Sequence, residues 1–222
     1  MPAFLFDLDG TLVDSVYQHV LAWQGALAGE GVALSVWRIH RKIGMSGGLF
    51  TRALLREIGA PLDAEQIRRV QNRHEKAYHA LSGGVRPLPG ALDLLRVLTR
   101  AGVPWAVATS GRARTAGPTL DSLEIPDGVP VITRDKVRHA KPDPDLFLAA
   151  ATALGADPED SVVVGDSVWD LLAARRARAL GVGLLSGGYG REELERAGAY
   201  RVYEDPADLL AHLDEVGVRD AL

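Results

Sequence analysis

Short apolar runs alternate with amphipathic stretches along this sequence, and that alternation restricts its fold more than any other feature. The runs lack a clean in–out alternation, as strands do when both faces of their sheet are covered. They span residues 3–6, 105–108, 129–132, 162–164 and 182–185. Helical patterns separate most of them, for example at 91–100, 145–154 and 168–180. The alternation predicts an α/β fold, a doubly wound, Rossmann-like parallel sheet with helices on both faces.

One interval between the first two runs is far longer than a crossover between strands requires. It contains only helical patterns, at residues 16–28, 35–42, 49–58 and 64–81, and a turn-rich stretch at 82–90 ends it. We therefore predict an all-helical cap domain of residues 15–86, inserted into a core of residues 1–14 and 87–222. The tail after residue 200 predicts one further strand and a helix at 206–216.

Charge and composition exclude several classes of function. A formal net charge of −4 without a long basic run argues against binding to nucleic acid or to an anionic membrane surface. The absence of cysteine excludes disulfides, thiol catalysis and cysteine-ligated metals. The N-terminus does not resemble a signal peptide and no apolar run is long enough to span a bilayer, so a cytoplasmic location is expected.

Polar side chains follow three of the apolar runs at the point where each predicted strand ends. In chain order they are Asp7 with Asp9, then Thr109 with Ser110 and Gly111, then Asp166. Ligands of open parallel sheets bind outside the carboxyl ends of the strands, so the three carboxylates are expected to converge in one crevice.

Converging carboxylates repel one another unless a cation neutralises them. The candidate ligands are oxygens, and no histidine pair has the spacing of a metal site, so a hard octahedral ion such as Mg²⁺ is predicted. Because substrate phosphates and waters usually complete a Mg²⁺ site, the pattern indicates phosphoryl chemistry.

The first strand end can supply two complementary groups. Asp7 and Asp9 occupy alternate positions, so one can attack while the other carries a proton. Gly10 permits a sharp turn and a close approach to substrate. At the second strand end, the N–H groups of Ser110 and Gly111 precede a predicted helix and can hold an anion.

Lys141 is expected to occupy a rigid loop position. It lies in the segment Ala140-Lys141-Pro142-Asp143-Pro144, where we predict a helix start with Asp143 as its cap and Pro144 in the first turn. Held there, the lysine can neutralise a phosphoryl group during its transfer.

Taken in order, these motifs resemble the four motifs of the haloacid dehalogenase-like hydrolase superfamily. They are Asp7-Leu8-Asp9-Gly10-Thr11, Thr109, Lys141-Pro142, and Gly165-Asp166-Ser167 with Asp170. The helical insertion is similar to the cap of the phosphoglycolate phosphatase and β-phosphoglucomutase branch, and the resemblance covers nearly the whole chain. A lone Asp-x-Asp would be weak evidence, whereas four motifs in order are specific.

The resemblance implies a phosphatase that acts on a small phosphorylated metabolite of the sugar phosphate or phosphoglycolate class. Asp7 would be the nucleophile and form an aspartyl-phosphate, while Asp9 would act first as acid and then as base. Thr109 would bind a phosphoryl oxygen, and Lys141 would pair with that group and with Asp7. Gly10, Ser110 and Gly111 would complete the phosphate site.

The resemblance also implies the metal ligands and the role of the cap. Mg²⁺ would be bound by Asp7, the backbone oxygen of Asp9 and Asp166, with Asp170 acting through water or through another ligand. The cap would close over the site and select the substrate. Its loop at residues 42–48 resembles the loop that this branch points at the active site, so Arg41 or Lys42 is expected to contact the substrate.

Three other functions share parts of this pattern. A phosphosugar mutase of the β-phosphoglucomutase type has the same core motifs but returns the phosphoryl group to another hydroxyl of its sugar. A haloacid dehalogenase would lack an acid at the position of Asp9, and a receiver-type signalling domain would not need the helical insertion. A monomer or weak homodimer is expected.

Several other residues are expected to have no role in the chemistry. These are the six histidines, His19, His40, His74, His79, His139 and His212, and the glycine-rich run at residues 187–190, which is expected to be a plain loop.

Overall fold

The structure is a computed structural model, and it describes residues 1–59 and 62–219. Its centre is a six-stranded parallel sheet. The strands are β1 (Ala3–Phe6), β2 (Trp105–Ala108), β3 (Val131–Ile132), β4 (Ser161–Gly165), β5 (Leu180–Leu184) and β6 (Ala199–Tyr203). The helices are α1 (Val16–Ala28), α2 (Val36–His40), α3 (Gly47–Ile58), α4 (Ala64–Leu81), α5 (Ala91–Arg100), α6 (Ala113–Leu120), α7 (Asp145–Leu154), α8 (Val168–Ala177), α9 (Arg191–Ala197) and α10 (Pro206–Ala211).

The strand order is β3-β2-β1-β4-β5-β6. The chain therefore winds outward from β1 to β3, returns to the centre at β4 and winds outward in the other direction, which confirms the doubly wound α/β fold. In this strand order, ligands bind where the winding reverses, at the carboxyl ends of β1 and β4. Asp7 and Asp166 follow those two strands.

Apolar side chains cover both faces of the sheet. Phe4 and Phe6 of β1 belong to a buried cluster that includes residues of α5 and α10. Leu5 points to the opposite face and joins a second cluster with residues of α7 and α8. This alternation follows from the two-residue repeat of a strand and explains why the strands show no polar face in the sequence.

The long interval between β1 and β2 contains α1–α4, which share a buried cluster of their own. Val16, Val20, Trp23 and Leu27 recur at helical spacing along α1 and supply part of that cluster. The cluster supports the predicted cap, but the division into residues 15–86 and residues 1–14 with 87–222 remains a prediction. Residues 60, 61 and 220–222 of those predicted ranges lie outside the described residues.

Several predicted element bounds were wrong by a few residues. The helix predicted to end at residue 180 ends at Ala177, because Arg178 adopts a left-handed φ of 61° and Leu180 already belongs to β5. The C-terminal helix predicted to reach residue 216 ends at Ala211, and a short 3₁₀ turn follows it. Helix α9 was not predicted. The remaining shifts concern the starts or ends of β3, β4, β5, α2 and α3.

No helix in the described ranges is both long enough and apolar enough to cross a bilayer.

Candidate active site

The end of β1 runs directly into a tight loop that holds two carboxylates. The backbone N–H of Asp7 donates to the carbonyl oxygen of Val164 at 2.9 Å, so Asp7 stays attached to the sheet. Gly10 follows with a φ of 84°, and a Cβ added there would lie 2.6 Å from Oδ2 of Asp166. Thr11 donates its hydroxyl to Oδ1 of the same carboxylate at 2.9 Å. The loop of β1 therefore packs against the end of β4, and only glycine fits at position 10.

Three buried carboxylates meet beneath this loop. Asp7, Asp166 and Asp170 each offer an oxygen, and the three oxygens lie within 4.8 Å of one another. Burial, and secondarily the neighbouring Asp170, raises the pKa of Asp166 well above its usual range. Burial also raises the pKa of Asp7 to about 7, although Lys141 opposes that rise.

This donor set fits a hard divalent cation. The buried carboxylates disfavour one another's ionised forms, and a bound cation would remove that repulsion. Only oxygens are offered, and none of the three is exposed to solvent. Asp7 and Asp166 are the residues with the clearest opportunity to act as ligands.

Lys141 joins two of these carboxylates. Its fully buried Nζ forms an ion pair with Asp7 and another with Oδ1 of Asp170 at 2.8 Å. Burial acts to lower the pKa of Lys141, but Asp170 and Asp7 outweigh burial and raise the pKa above its usual value. The lysine is therefore a fixed cation beside the Asp7 carboxylate.

The helix after Lys141 begins at Asp145, as the pattern at 145–154 predicts, but its cap is not the predicted one. Pro144 occupies the N-cap position of α7, and the first helical residue is Asp145. Asp143 does not cap the helix, because its carboxylate points to Arg176 at 3.4 Å. The prediction of Asp143 as cap was wrong.

Asp170 engages both of its oxygens with the protein. Oδ1 faces Lys141, while Oδ2 accepts hydrogen bonds from the backbone N–H of Ser167 at 3.1 Å and from its hydroxyl at 2.6 Å. Because both of its oxygens have partners, the Asp170 side chain orients Lys141 and the start of α8. This arrangement favours an indirect role for Asp170 at a metal site over direct ligation.

The end of β2 lines the same crevice. Thr109 is buried, and its hydroxyl oxygen accepts the backbone N–H of Gly111 at 2.9 Å. Ser110 donates its hydroxyl to the carbonyl oxygen of Gly44, in the loop between α2 and α3, at 2.8 Å. The predicted phosphate-binding residues Thr109, Ser110 and Gly111 are thus brought beside Asp7, and Ser110 also joins the helical insertion to the sheet.

Asp9 has partners that the sequence analysis missed. Its Oδ1 accepts the hydroxyl of Ser15 at 2.6 Å and lies 3.2 Å from Nε2 of His19. Burial acts to raise the pKa of Asp9, but His19 and Ser15 outweigh it and lower the pKa below its usual value. Nδ1 of His19 lies 3.1 Å from Nε2 of His74, whose pKa falls well below its usual value because of burial and of His19.

These two histidines are held by stacked rings. His19 stacks on Tyr78 with centroids 3.8 Å apart, and His74 stacks on Trp23 at 3.9 Å. The sequence analysis assigned neither histidine a role. The available signal was their position on the buried faces of α1 and α4, where His74 lies four residues from both Val70 and Tyr78.

Arg41 and Lys42, the predicted substrate contacts, do not line the crevice. Arg41 pairs with Glu193 and lies over the ring of Tyr189 at 4.4 Å. Lys42 pairs with Glu57 at 3.2 Å. Both side chains form ion pairs with glutamates outside the cavity lining, so the structure does not support their predicted contact with a substrate.

A cavity of about 750 Å³ opens above Asp7 and Asp9. Its walls come from α1, α3 and α4 on one side and from the loops after β1, β2 and β3 on the other. Lys141, Asp166 and Asp170 lie buried below it. A substrate in this cavity would contact the strand ends and the helical insertion together.

Comparison with known proteins finds relatives that are named as hydrolases and phosphatases. The sequence model described as "haloacid dehalogenase-like hydrolase" matches residues 1–178. Phosphoglycolate phosphatase of Caulobacter vibrioides is 36% identical over 87% of this chain and 83% of its own length. Hexitol phosphatase A of Escherichia coli K12 is 34% identical over 78% of each chain. The crystal structure of a hydrolase from Pseudomonas syringae has 53% identity and a TM-score of 0.96, and the match covers 98% of this chain and 100% of that one.

Proposed function

This chain belongs to the haloacid dehalogenase-like hydrolase family, and on that basis we propose that it is a Mg²⁺-dependent phosphatase of small phosphomonoesters. The observation that carries the proposal is the buried Asp7, which lies at the base of the cavity and is paired with Lys141. The names of the two curated relatives support a phosphoglycolate or sugar phosphate as substrate.

Asp7 is the proposed nucleophile. A carboxylate oxygen of Asp7 attacks phosphorus, the bond from phosphorus to the ester oxygen breaks, and an aspartyl-phosphate forms. Lys141 keeps positive charge beside the reacting oxygens throughout. Mg²⁺ held by Asp7, Asp166 and the backbone oxygen of Asp9 would neutralise phosphoryl charge and keep the carboxylates ionised.

Asp9 is the proposed proton carrier. In the first step it donates a proton to the leaving oxygen, and in the second it takes a proton from the water that attacks the phosphoenzyme. The bond between phosphorus and Asp7 then breaks and frees phosphate. The hydrogen bonds from Ser15 and His19 favour the carboxylate form of Asp9, which is the form that the second step requires.

The remaining predictions extend this proposal. Helices α1–α4 act as the cap, and Gly10, Thr109, Ser110, Gly111 and Lys141 hold the phosphoryl group. A phosphosugar mutase stays the alternative, but the names of the two relatives support transfer to water. A cytoplasmic location and a monomeric or weakly dimeric state remain predictions from the sequence.

Hydrolysis of p-nitrophenyl phosphate and of a panel of phosphorylated metabolites, with Mg²⁺ and with EDTA, tests the proposal. Asp7→Asn should lower turnover by roughly a thousandfold or more, because the nucleophile is lost. Asp14→Asn, an exposed carboxylate at the end of the same loop, is the control and should keep wild-type turnover. Near wild-type turnover in Asp7→Asn would remove Asp7 from the mechanism.

A further inference from the structure

Three exposed arginines line the cavity above the reaction centre. Arg52 comes from α3, Arg112 from the loop after β2, and Arg138 from the loop before Lys141. Within the described ranges, none of the three side chains forms an ion pair or a hydrogen bond. A guanidinium offers five N–H donors and stays charged at neutral pH, so these side chains leave many donors open.

The acidic residues of the same wall do not balance these charges. Beyond Asp7 and Asp9, the lining carboxylates are Glu75, Asp135 and Asp143. Glu75 pairs with Arg114, and Asp143 faces Arg176 at 3.4 Å. Asp135 accepts the backbone N–H of Ala113 at 2.8 Å.

One segment of this wall is held in place from inside. Arg134 donates to the carbonyl oxygen of Val137 at 2.6 Å and to that of Arg138 at 3.1 Å. Those bonds fix the turn that carries the Arg138 side chain. Arg112 occupies the N-cap position of α6, one residue after Gly111. Two of the three cations therefore have defined backbone positions in the wall of the cavity.

Apart from Asp7 and Asp9, the cavity lining has five arginines and three carboxylates, a formal charge of +2, whereas the protein has a formal net charge of −4. The three arginine side chains are exposed, and cations around a cleft raise the local concentration of anions. The phosphoryl group already has Lys141 and the strand ends below. A cavity of about 750 Å³ also has space for much more than a phosphoryl group.

We propose that Arg52, Arg112 and Arg138 form a subsite for a second anionic group, a carboxylate or a phosphate, at the end of the substrate remote from the scissile phosphate. The inference rests on the proposed phosphatase function and narrows it to substrates with two anionic ends. Because Arg52 lies on the helical insertion and the other two lie on strand-end loops, the second anion bridges both parts of the molecule.

Matched pairs of esters test the subsite with the full-length enzyme and Mg²⁺. In one pair, 3-phosphoglycerate is compared with glycerol 3-phosphate, which has a hydroxymethyl group in place of the carboxylate. In the other, fructose 1,6-bisphosphate is compared with fructose 6-phosphate. In at least one pair, we expect the kcat/KM of the wild type to be about tenfold or more higher for the member that has two anionic groups. The pair that shows the preference identifies the anion as carboxylate or phosphate.

Substitutions of Arg52, Arg112 and Arg138 then test whether these residues cause the preference for substrates with two anionic groups. Arg52→Gln should reduce the preference by about tenfold, and Arg112→Gln or Arg138→Gln should reduce it in the same direction. Arg56→Gln is the matched control, since it lies one turn further along α3 and does not line the cavity. It should leave the preference unchanged.

The outcomes separate this inference from the proposed function. If the wild type hydrolyses phosphate esters but treats the members of both pairs alike, the subsite is wrong and the phosphatase stands. An unchanged preference in all three arginine variants has the same meaning. If no phosphate ester is hydrolysed, the proposed function fails and the subsite fails with it.

Discussion

The two carboxylates next to Asp7 have different surroundings: Asp166 is placed to face a metal ion, whereas Asp170 orients its neighbours. Asp166 has one oxygen bonded to Thr11, and its pKa is raised well above its usual value by burial and by Asp170 and Asp7. Asp170 instead has both oxygens engaged by Lys141 and Ser167. We therefore expect substitution of Asp166 and substitution of Asp170 to have different effects on the Mg²⁺ requirement and on turnover.

We expect Asp166→Asn to raise the Mg²⁺ concentration needed for half-maximal activity by at least roughly a hundredfold, because a ligand is lost. Asp170→Asn should lower turnover by about 10- to 100-fold with a smaller change in that concentration, because Lys141 loses one partner. Titration of p-nitrophenyl phosphate hydrolysis with Mg²⁺ measures both effects. Identical titration curves for the two variants would contradict this division of roles.

His19 should influence the proton transfers of Asp9. His19→Phe keeps a ring stacked on Tyr78 but removes the contact to Asp9, so the pKa of Asp9 should rise. The acidic limb of the rate of phosphoenzyme hydrolysis should then move to higher pH, because Asp9 acts as base only when ionised. Rapid-quench measurement across pH detects the shift.

His79→Phe is the control for this substitution, because His79 is an exposed residue of α4. Its pH profile should match the wild type. A His19→Phe profile that also matches the wild type would show that the contact with His19 does not govern Asp9.

Among the secondary-structure elements, the loop after β5 has a role that its sequence does not reveal. The glycine-rich run at residues 187–190 was expected to be a plain loop. In the fold, a Cβ added at Gly187 would lie 1.8 Å from Oδ2 of Asp166. The carbonyl oxygen of Gly187 also lies 2.7 Å from Nε2 of His40, so this loop touches both the carboxylate cluster and the helical insertion.

Gly187→Ala should therefore displace Asp166 and lower turnover by roughly 10- to 100-fold, with a higher Mg²⁺ requirement. Gly83→Ala is the control, because an added Cβ there meets no atom within 4 Å. Steady-state assays over a range of Mg²⁺ concentrations compare the two. Wild-type behaviour of Gly187→Ala would mean that the loop moves aside without cost to the site.

Across the entire fold, the buried carboxylates link stability to pH and to metal. Burial raises the pKa of Asp7 from 3.8 to about 7, so the folded state holds a proton that the unfolded chain has lost over this range. Stability falls with rising pH wherever the folded state binds more protons than the unfolded state. A bound cation favours the ionised carboxylates and opposes that loss.

We expect the free energy of unfolding of the metal-free enzyme to fall between pH 4 and about pH 7 because of this group. Mg²⁺ at about 100 times its Kd should stabilise the folded state by about 2.7 kcal/mol near neutral pH. Urea unfolding with EDTA or with Mg²⁺ measures both. Asp7→Asn should weaken both dependences, and a metal-free stability that rises over the same interval would contradict the prediction.

The α/β pattern, the order of the motifs and the family were readable from the chain, because each depends on neighbours in sequence. Apolar runs predict buried strands, and a polar residue that directly follows such a run must lie at the edge of the sheet. The parallel pairing of β1 with β2 and β4 then brings Asp7, Thr109 and Asp166 to one side. The chemical roles of these residues stay predictions.

Packing between distant segments determined the rest. The contact of His19 with His74 joins α1 to α4, the approach of Gly187 to Asp166 joins two strand ends, and the ion pair with Glu193 takes Arg41 away from the cavity. No periodicity records such contacts, because they depend on the relative positions of whole elements. Side-chain partners across the fold are set by three-dimensional packing, whereas strand ends and helix faces are set by local order in the chain.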